Sequence, residues 1–266
     1  MHQISLSIGS IGSNGLLLAE QEIITQMRIV SWNCNGALRK KRHLLDELRA
    51  DILVVQECEN PEHTQDADYK QWAGSHLWAG DNKNKGLGVF AKSGMRLEAL
   101  DLDTGGLQLF LPCMVNGIMF LAVWTKEAGS PTFKYIGQLY KWLQLHKAQL
   151  AQQRAIVIGD LNSNACWDVW DRWWNHSDVV KELADIGLHS LYHAQTGLDQ
   201  GSEAQPTFFL HRKLEKPYHI DYAFLSEMLK NSAQLSIGAT ELWIEHSDHL
   251  PLIVDIAPTQ KTKPFN

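Results

Sequence analysis

The stretch Ala155-Ile-Val-Ile-Gly-Asp160-Leu-Asn162-Ser-Asn164 decides the fold. Its opening apolar run, Ala155-Ile-Val-Ile158, marks a strand buried on both faces. Gly159 ends that run abruptly, and polar residues follow at once. Asp160 and Asn162 lie two positions apart, on one face of extended chain. An Asp there can orient or deprotonate a water. An Asn can hold a phosphoryl oxygen without adding negative charge. An ordinary Asp/Asn turn is the simpler alternative. Buried strands with polar residues at their carboxyl ends are how open α/β sheets build ligand sites.

Outward from this strand the pattern repeats. Strands are predicted over 28–33, 51–55, 86–92, 107–111, 117–124, 220–225 and 251–256. Helical periodicity covers 38–49, with Leu44, Leu45 and Leu48 among charges, and 135–150, with Ile136, Leu139, Tyr140, Leu143 and Leu150 on one side. A short helix over 179–186 is closed by Gly187. Strands outnumber helices and occur both in runs and in alternation with them, which predicts a mixed α/β domain with two sheets over residues 27–258. Residues 1–26 are Ser/Gly/Ile-rich and weakly patterned. They read as a weakly ordered extension, or as an upstream start before a natural start at Met27. Residues 259–266 read as a polar tail.

The composition bounds the function. The 266 residues are 44% hydrophobic and 20% charged, which excludes disordered, collagenous and disulfide-dense classes. No apolar run approaches the ~20 residues that span a bilayer. The apolar run at 15–19 is short, ends in Glu20 and Glu22 and has no basic flank, so no secretory signal is expected. The net charge of −6 argues against a polycation that coats nucleic acid, but not against an enzyme that meets phosphate with a local cation. Cys34, Cys58, Cys113 and Cys166 form no CxxC pair. They read as reduced, buried thiols of a cytoplasmic protein. No obligate protein partner is indicated.

Three further segments carry candidate chemistry. In Ser31-Trp-Asn-Cys-Asn-Gly36, Asn33 and Asn35 end a strand on one face; alone, a turn is the simpler reading. In Val54-Val-Gln-Glu57, a carboxylate directly after a buried run suits a hard cation, or begins a surface loop. In His246-Ser-Asp248-His249, a carboxylate and an imidazole meet where the chain enters a strand. Asp221 enters another and can fix the tautomer of His249. His63, His146 and His193 have no such company and read as structural or surface residues.

Taken together, these segments resemble the endonuclease/exonuclease/phosphatase superfamily, from Arg28 to Ile256. SWNCNG, VVQE, GDLNSN, HIDYAFLS and HSDHLP look like its five motifs in order. The resemblance implies a DNase I-like four-layer α/β/β/α sandwich with two mixed sheets. It also implies Mg²⁺, with Mn²⁺ as a substitute, and in-line attack of water on a phosphoester. Carried over, Glu57 looks like the main metal ligand, assisted by Asn35 and Asp248. Asn33 and Asn162 resemble the amides that hold the phosphate. Asp160 resembles the residue that aligns or deprotonates water, and His249 the phosphate-contacting imidazole held by Asp221. One departure stands out. Many relatives place a Tyr or His on the strand that here reads Phe-Leu-Ala-Val-Trp-Thr over 120–125, where it assists the leaving group. Either Lys126 or a water on the metal takes that role, or the leaving group needs little help.

The substrate is less legible. Among ten tryptophans, Trp167, Trp170, Trp173 and Trp174 follow the third motif, either as a base-stacking surface or as a hydrophobic cluster under a loop. Trp32 and Trp243 read as core. Trp124, Lys126 and Asn164 are further candidates for substrate contact. Arg212 and Lys213, within the basic stretch at 211–216, can meet flanking phosphates or simply be solvated. The leading expectation is a nuclease acting on nucleic acid, DNA before RNA. A small-molecule or lipid-headgroup phosphoesterase is the enzyme alternative. A catalytically silent phosphate- or nucleic-acid-binding module is the other.

Overall fold

The computed structural model describes residues 26–92, 94–126 and 132–258. The extension over 1–25 and the tail over 259–266 therefore lie outside the described residues. In chain order the strands are β1 (Met27–Asn33), β2 (Ile52–Cys58), β3 (Ser75–Asn82), β4 (Lys85–Ala91), β5 (Leu97–Ala99), β6 (Phe110–Val115), β7 (Ile118–Trp124), β8 (Ala155–Asp160), β9 (Leu188–Ser190), β10 (Phe208–Phe209), β11 (Pro217–Tyr218), β12 (Asp221–Ser226), β13 (Ala233–Ile237) and β14 (Leu252–Ile256). The helices are α1 (Leu38–Glu47), α2 (Ala67–Ala73), α3 (Ile136–Ala151), α4 (His176–Asp185), α5 (Leu191–Thr196) and the single turns α6 (Glu227–Lys230) and α7 (Thr240–Trp243).

Two six-stranded sheets form, in the orders β13-β14-β1-β2-β4-β3 and β5-β6-β7-β8-β12-β9. Each holds one parallel pair. β1 and β2 are joined across α1, and β7 and β8 across α3. Parallel neighbours need such a crossover, so the two helical segments were legible from the same pattern as the strands. Every other pairing within these two sheets is antiparallel.

Side-chain alternation sorts each strand into two cores. Inward-facing Ile29, Val54, Val89 and Val254 of one sheet meet Phe120, Ala122, Ile158 and Ala223 of the other. Their neighbours face outward. Trp32 and Val55 pack under Leu38 and Leu45 of α1 and Tyr69 of α2. Leu121 and Val157 pack under Leu139 and Trp142 of α3 and Leu183 of α4. This is the four-layer α/β/β/α sandwich, and it explains the unbroken apolar runs: each central strand is covered on both faces.

Several boundaries differ from the sequence expectation. The strand expected at 107–111 begins only at Phe110 and runs to Val115 through Pro112. Pro112 sits just past the last β5–β6 partner pair, Ala99 and Cys113, where a missing N–H costs no ladder bond to β5. β3, β13 and α2 were not anticipated. β3 and β13 are sheet edges with mostly half-buried or exposed side chains, so they lack an apolar run. Asp66 starts α2 by accepting from the Tyr69 N–H at 2.9 Å. Of the four cysteines, Cys34, Cys58 and Cys113 are buried as expected, but Cys166 is exposed because it lies in a rim turn rather than a strand. Among the described residues no helix is long and apolar enough to cross a membrane.

Gly159 is the tightest point of the second sheet. Its φ is +146°, and a Cβ there would lie 1.9 Å from the Val123 carbonyl oxygen on β7. Backbone strain of this kind costs about 1–3 kcal/mol before the clash is counted. Gly159→Ala is expected to lower the urea midpoint of unfolding sharply. An unchanged midpoint would show that β7 and β8 can part without cost.

Candidate active site

The alternation that fills the inter-sheet core also builds the site. On β1, Ile29 faces inward, and so do Ser31 and Asn33 two and four residues on. On β8, Ile156 and Ile158 lead to Asp160. On β12, Leu225 and Ala223 lead back to Asp221. Parallel β1 and β8 end at the same rim where antiparallel β12 and β14 begin. Asp160 and Asp221 are direct cross-strand partners. The segment before β14 brings His249 between them.

The result is a buried polar chain. Asp160 is fully buried, and Asp221 and His249 are nearly so. His249 Nδ1 lies 2.9 Å from Asp221 Oδ2, and His249 Nε2 lies 3.8 Å from Asp160 Oδ2. Asp160 Oδ2 accepts from Asn33 Nδ2 at 2.9 Å and from Asn162 Nδ2 at 3.1 Å. Its Oδ1 accepts from the Asn162 N–H at 2.8 Å. Burial pushes the Asp160 carboxyl up from the usual carboxylate range, while the His249 charge pulls it back down. For His249, burial alone would lower the value, but the Asp221 and Asp160 carboxylates outweigh it and hold the imidazole at about 9. The imidazole is therefore a cation at neutral pH.

Residues that sequence reasoning did not single out hold this chain in place. Ser247, fully buried, donates to the Asn33 carbonyl at 2.7 Å and accepts from the His249 N–H at 3.1 Å. Thr207 Oγ1 accepts from the Ile220 and Asp221 N–H groups at 3.0 and 3.1 Å. Trp32 Nε1 donates to the His249 carbonyl at 3.0 Å. Phe208 lays its ring 4.6 Å from the imidazole. The Ser-x-His spacing in 247–249 was a readable signal for a side chain bonding backbone two residues on. Thr207 offered none, because its partners lie far along the chain.

The expected metal ligands sit beside this chain. Glu57 is not in a loop after β2 but inside it, at a bulge with φ +63° that re-aims its side chain. The β1–β2 register pairs Asn33 with Gln56, which sets Glu57 next to the exit of β1. Asn35 Nδ2 donates to Asp248 Oδ1 at 3.0 Å. Glu57 meets the half-exposed ammonium of Lys85 at 2.7 Å, where a cation already answers its charge. Glu57, Asn35 and Asp248 offer oxygen donors only, the set a hard divalent ion takes. Among the described residues, Asp160, Asp221 and His249 also form a group with ligand atoms within 4.8 Å. There Asp160 already accepts three hydrogen bonds and Asp221 Oδ2 is engaged by the imidazole, so these oxygens are less free for a cation than those of Glu57.

Other expected residues fall in different places. Both amide hydrogens of Asn162 are committed, one to Asp160 and one to the Thr125 carbonyl at 2.7 Å, so here Asn162 orients Asp160. Trp124 is corrected from substrate contact to core. It is 4% exposed and packed in the inter-sheet core as the cross-strand partner of Asp160, with Lys126 Nζ 5.1 Å from its ring centroid. Asn164 is likewise a scaffold residue. It is buried, with Nδ2 on Glu203, the His219 carbonyl and the Tyr222 hydroxyl. Arg212 pins the carbonyls of Glu245 and His246, just before Ser247, while Lys213 is exposed. Trp167 and Trp170 stand exposed on the loop after β8.

The sequence profile of the Endonuclease/Exonuclease/phosphatase family matches residues 30–249. The chain belongs to this family. No curated protein sequence matches it. Among solved structures, a 3'-5' exonuclease, NExo, from Neisseria meningitidis superposes with a TM-score of 0.67 at 20% identity, covering 87% of this chain and 100% of its own. The 3' phosphatase NExo from Neisseria, bound to a product DNA hairpin, gives 0.66 at 18%, covering 86% and 99%. An AP endonuclease from Archaeoglobus fulgidus gives 0.65 at 18%, covering 86% and 99%. At these identities the likeness establishes the DNase I-like fold. The matched span holds the first four motifs whole and the fifth as far as His249.

The His249 cation has a measurable sign. Its ordinary value is 6.5, and the folded protein raises it to about 9. The stabilisation it confers is complete below the unfolded value and is lost as pH rises through about 9. An NMR titration of the metal-free protein is expected to show one histidine charged well above pH 7, with Asp221→Asn moving its midpoint down. A midpoint near 6.5 that Asp221→Asn leaves in place would remove the imidazolium from the site.

Proposed function

We propose that the chain is a divalent-metal-dependent phosphodiesterase acting on DNA. The observation that carries this reading is the buried Asn33–Asp160–His249–Asp221 chain at the joint rim of the two sheets. Phosphoryl transfer asks for positioning and charge stabilisation more than for covalent help, and this chain offers both.

Each side chain then has a task. Asp160, held by three hydrogen bonds, aligns a water and takes its proton as the water oxygen bonds to phosphorus and the opposite P–O ester bond breaks, the leaving sugar oxygen taking a proton from solvent. Its upward-shifted carboxyl suits a base working near neutral pH. Asp221 fixes the imidazole, whose charge answers the negative charge that grows on the phosphoryl oxygens. Asn33 and Asn162 keep Asp160 in its rotamer. Glu57, Asn35 and Asp248 would hold Mg²⁺ or Mn²⁺. When bound, the ion supplies Lewis-acid polarisation of the phosphoryl oxygens. DNA is favoured as substrate because two of the similar structures are an exonuclease and a phosphatase bound to a DNA product, and a third is an AP endonuclease. The buried free thiols Cys34, Cys58 and Cys113 suit a cytoplasmic setting.

The test is a panel of single- and double-stranded DNA, RNA and small phosphate esters, each with Mg²⁺ and with EDTA. DNA cleavage that EDTA abolishes is expected. Asp160→Asn is expected to slow it about 10²–10⁴-fold, the range for a positioned acid–base group. Turnover of small esters with polymers untouched would move the substrate class to small phosphoesters. A wild-type rate from Asp160→Asn would overturn the assignment. Glu57→Gln is expected to weaken the Mg²⁺-induced rise in Tm while leaving the Tm in EDTA close to wild type.

A further inference from the structure

The loop between β8 and α4 presents an unusual surface. Trp170 is 96% exposed, Trp173 65% and Trp167 44%. Large aromatic faces left in water usually mark a contact surface. The backbone beneath them is firmly tied. Asn175, buried, accepts from the Val169 N–H at 3.0 Å and donates to the Val169 and Arg172 carbonyls at 3.0 and 2.7 Å. The Asp168 carboxylate accepts from the His176 and Ser177 N–H groups that start α4. Asn164 Oδ1 accepts from the Cys166 N–H at 3.0 Å. The rings are thus held outward by a fixed loop.

The loop also opens onto the site. Trp167 lies 5.1 Å from the Tyr218 ring, Tyr218 lies 6.4 Å from Phe208, and Phe208 lies 4.6 Å from His249. A row of rings runs from the imidazolium to Trp167, the inner end of the exposed loop. The charges nearby are one of each sign: Asp171 is exposed, and Arg172 keeps its charge while donating to the neutral oxygens of Asn175 and of the Trp167 carbonyl. With no net charge from this pair, the exposed ring faces are what the loop mainly offers a partner.

We propose that residues 167–173 form a preformed stacking platform for unpaired nucleobases of the strand that leads away from the scissile phosphate. This rests on the DNA hydrolase reading above and narrows it to substrates with single-stranded character. Duplex DNA keeps its base faces stacked and offers the platform nothing. A fixed loop loses little conformational freedom on binding, so the stacking energy is largely retained. Every base has a π-face, so the platform tolerates any sequence. A bilayer is the less favoured occupant, because the row of rings leads into the site and Asp171 faces outward among the tryptophans.

The test is binding, read in EDTA by the anisotropy of a labelled oligothymidylate and of a duplex of equal length, with the full chain. The single strand is expected to bind more tightly than the duplex. Trp170→Ala is expected to weaken single-strand binding about tenfold, with Trp167→Ala acting in the same direction. Trp170→Phe should recover most of the loss. The slope of log affinity against log salt should stay unchanged, since no phosphate contact is removed. Wild-type affinity in both alanine variants, a changed salt slope, or tighter binding of the duplex would each overturn the platform. So would binding to phosphatidylcholine vesicles that Trp170→Ala abolishes while oligonucleotide binding persists. Hydrolysis in Mg²⁺ is scored separately. Its absence would remove the hydrolase reading, whereas the binding data judge the platform on their own.

Discussion

His249 lies between two carboxylates, 2.9 Å from Asp221 and 3.8 Å from Asp160, and all three side chains are at most 5% exposed. Burying charge is expensive unless each group finds a partner and its remaining hydrogen bonds. One cation and two anions leave a single negative charge to be balanced by dipoles. Asn33 and Asn162 supply these at Asp160, and the Ile220–Thr207 corner fixes the backbone at Asp221. At about 4 Å and an effective dielectric of ~20, the gross attraction in each opposite-charge contact is on the order of 4 kcal/mol, set against the cost of desolvating the groups. Losing one partner strands the others, so the rim holds together as a set.

That set constrains the backbone around it. The antiparallel pairing of Asp160 with Asp221 requires β8 and β12 to meet in one register. Gly159, which no side chain could replace without striking Val123, lets β8 bend as it reaches the rim. Ser247 ties the end of β1 to the segment carrying His249, and Trp32 Nε1 holds the same segment from the outer face. The two sheets are therefore joined at the top by polar bonds and below by apolar packing. The site is the place where one gives way to the other.

The sequence shows this division unevenly. The central strands are legible because burial on both faces leaves unbroken apolar runs, as in Ile52-Leu-Val-Val55. The edge strands β3 and β13 are not, since their side chains are mostly half-buried or exposed. Polar residues at strand ends marked Asn33, Asp160, Asp221 and His249, which the fold brings together. Trp124, the cross-strand partner of Asp160, and Asn164, in the turn after β8, serve packing and scaffold, because residues close in space but not in sequence cover them. Glu57 is where local reading fails most clearly: a bulge with positive φ is set by pairing with β4, not by its neighbours in sequence. Thr207 acts through partners 13 and 14 residues on, which no local pattern reveals; of the two bonds of Ser247, only the one to His249 is local.

The net charge of −6 shapes how such a rim can meet a polyanion. Long-range attraction is absent, and at physiological salt the Debye length of about 8 Å screens what field there is. Recognition then depends on short-range contacts. The cationic imidazole, the proposed ion site at Glu57, Asn35 and Asp248, and the carbonyl-anchored Arg212 are all confined to the rim. Apolar stacking adds affinity without adding charge, so it leaves the overall field acidic. On the proposed reading, an acidic net charge with a local cationic centre favours engagement of a phosphodiester at the rim, where charge and hydrogen bonds coincide, over general adhesion of a polyanion to the protein.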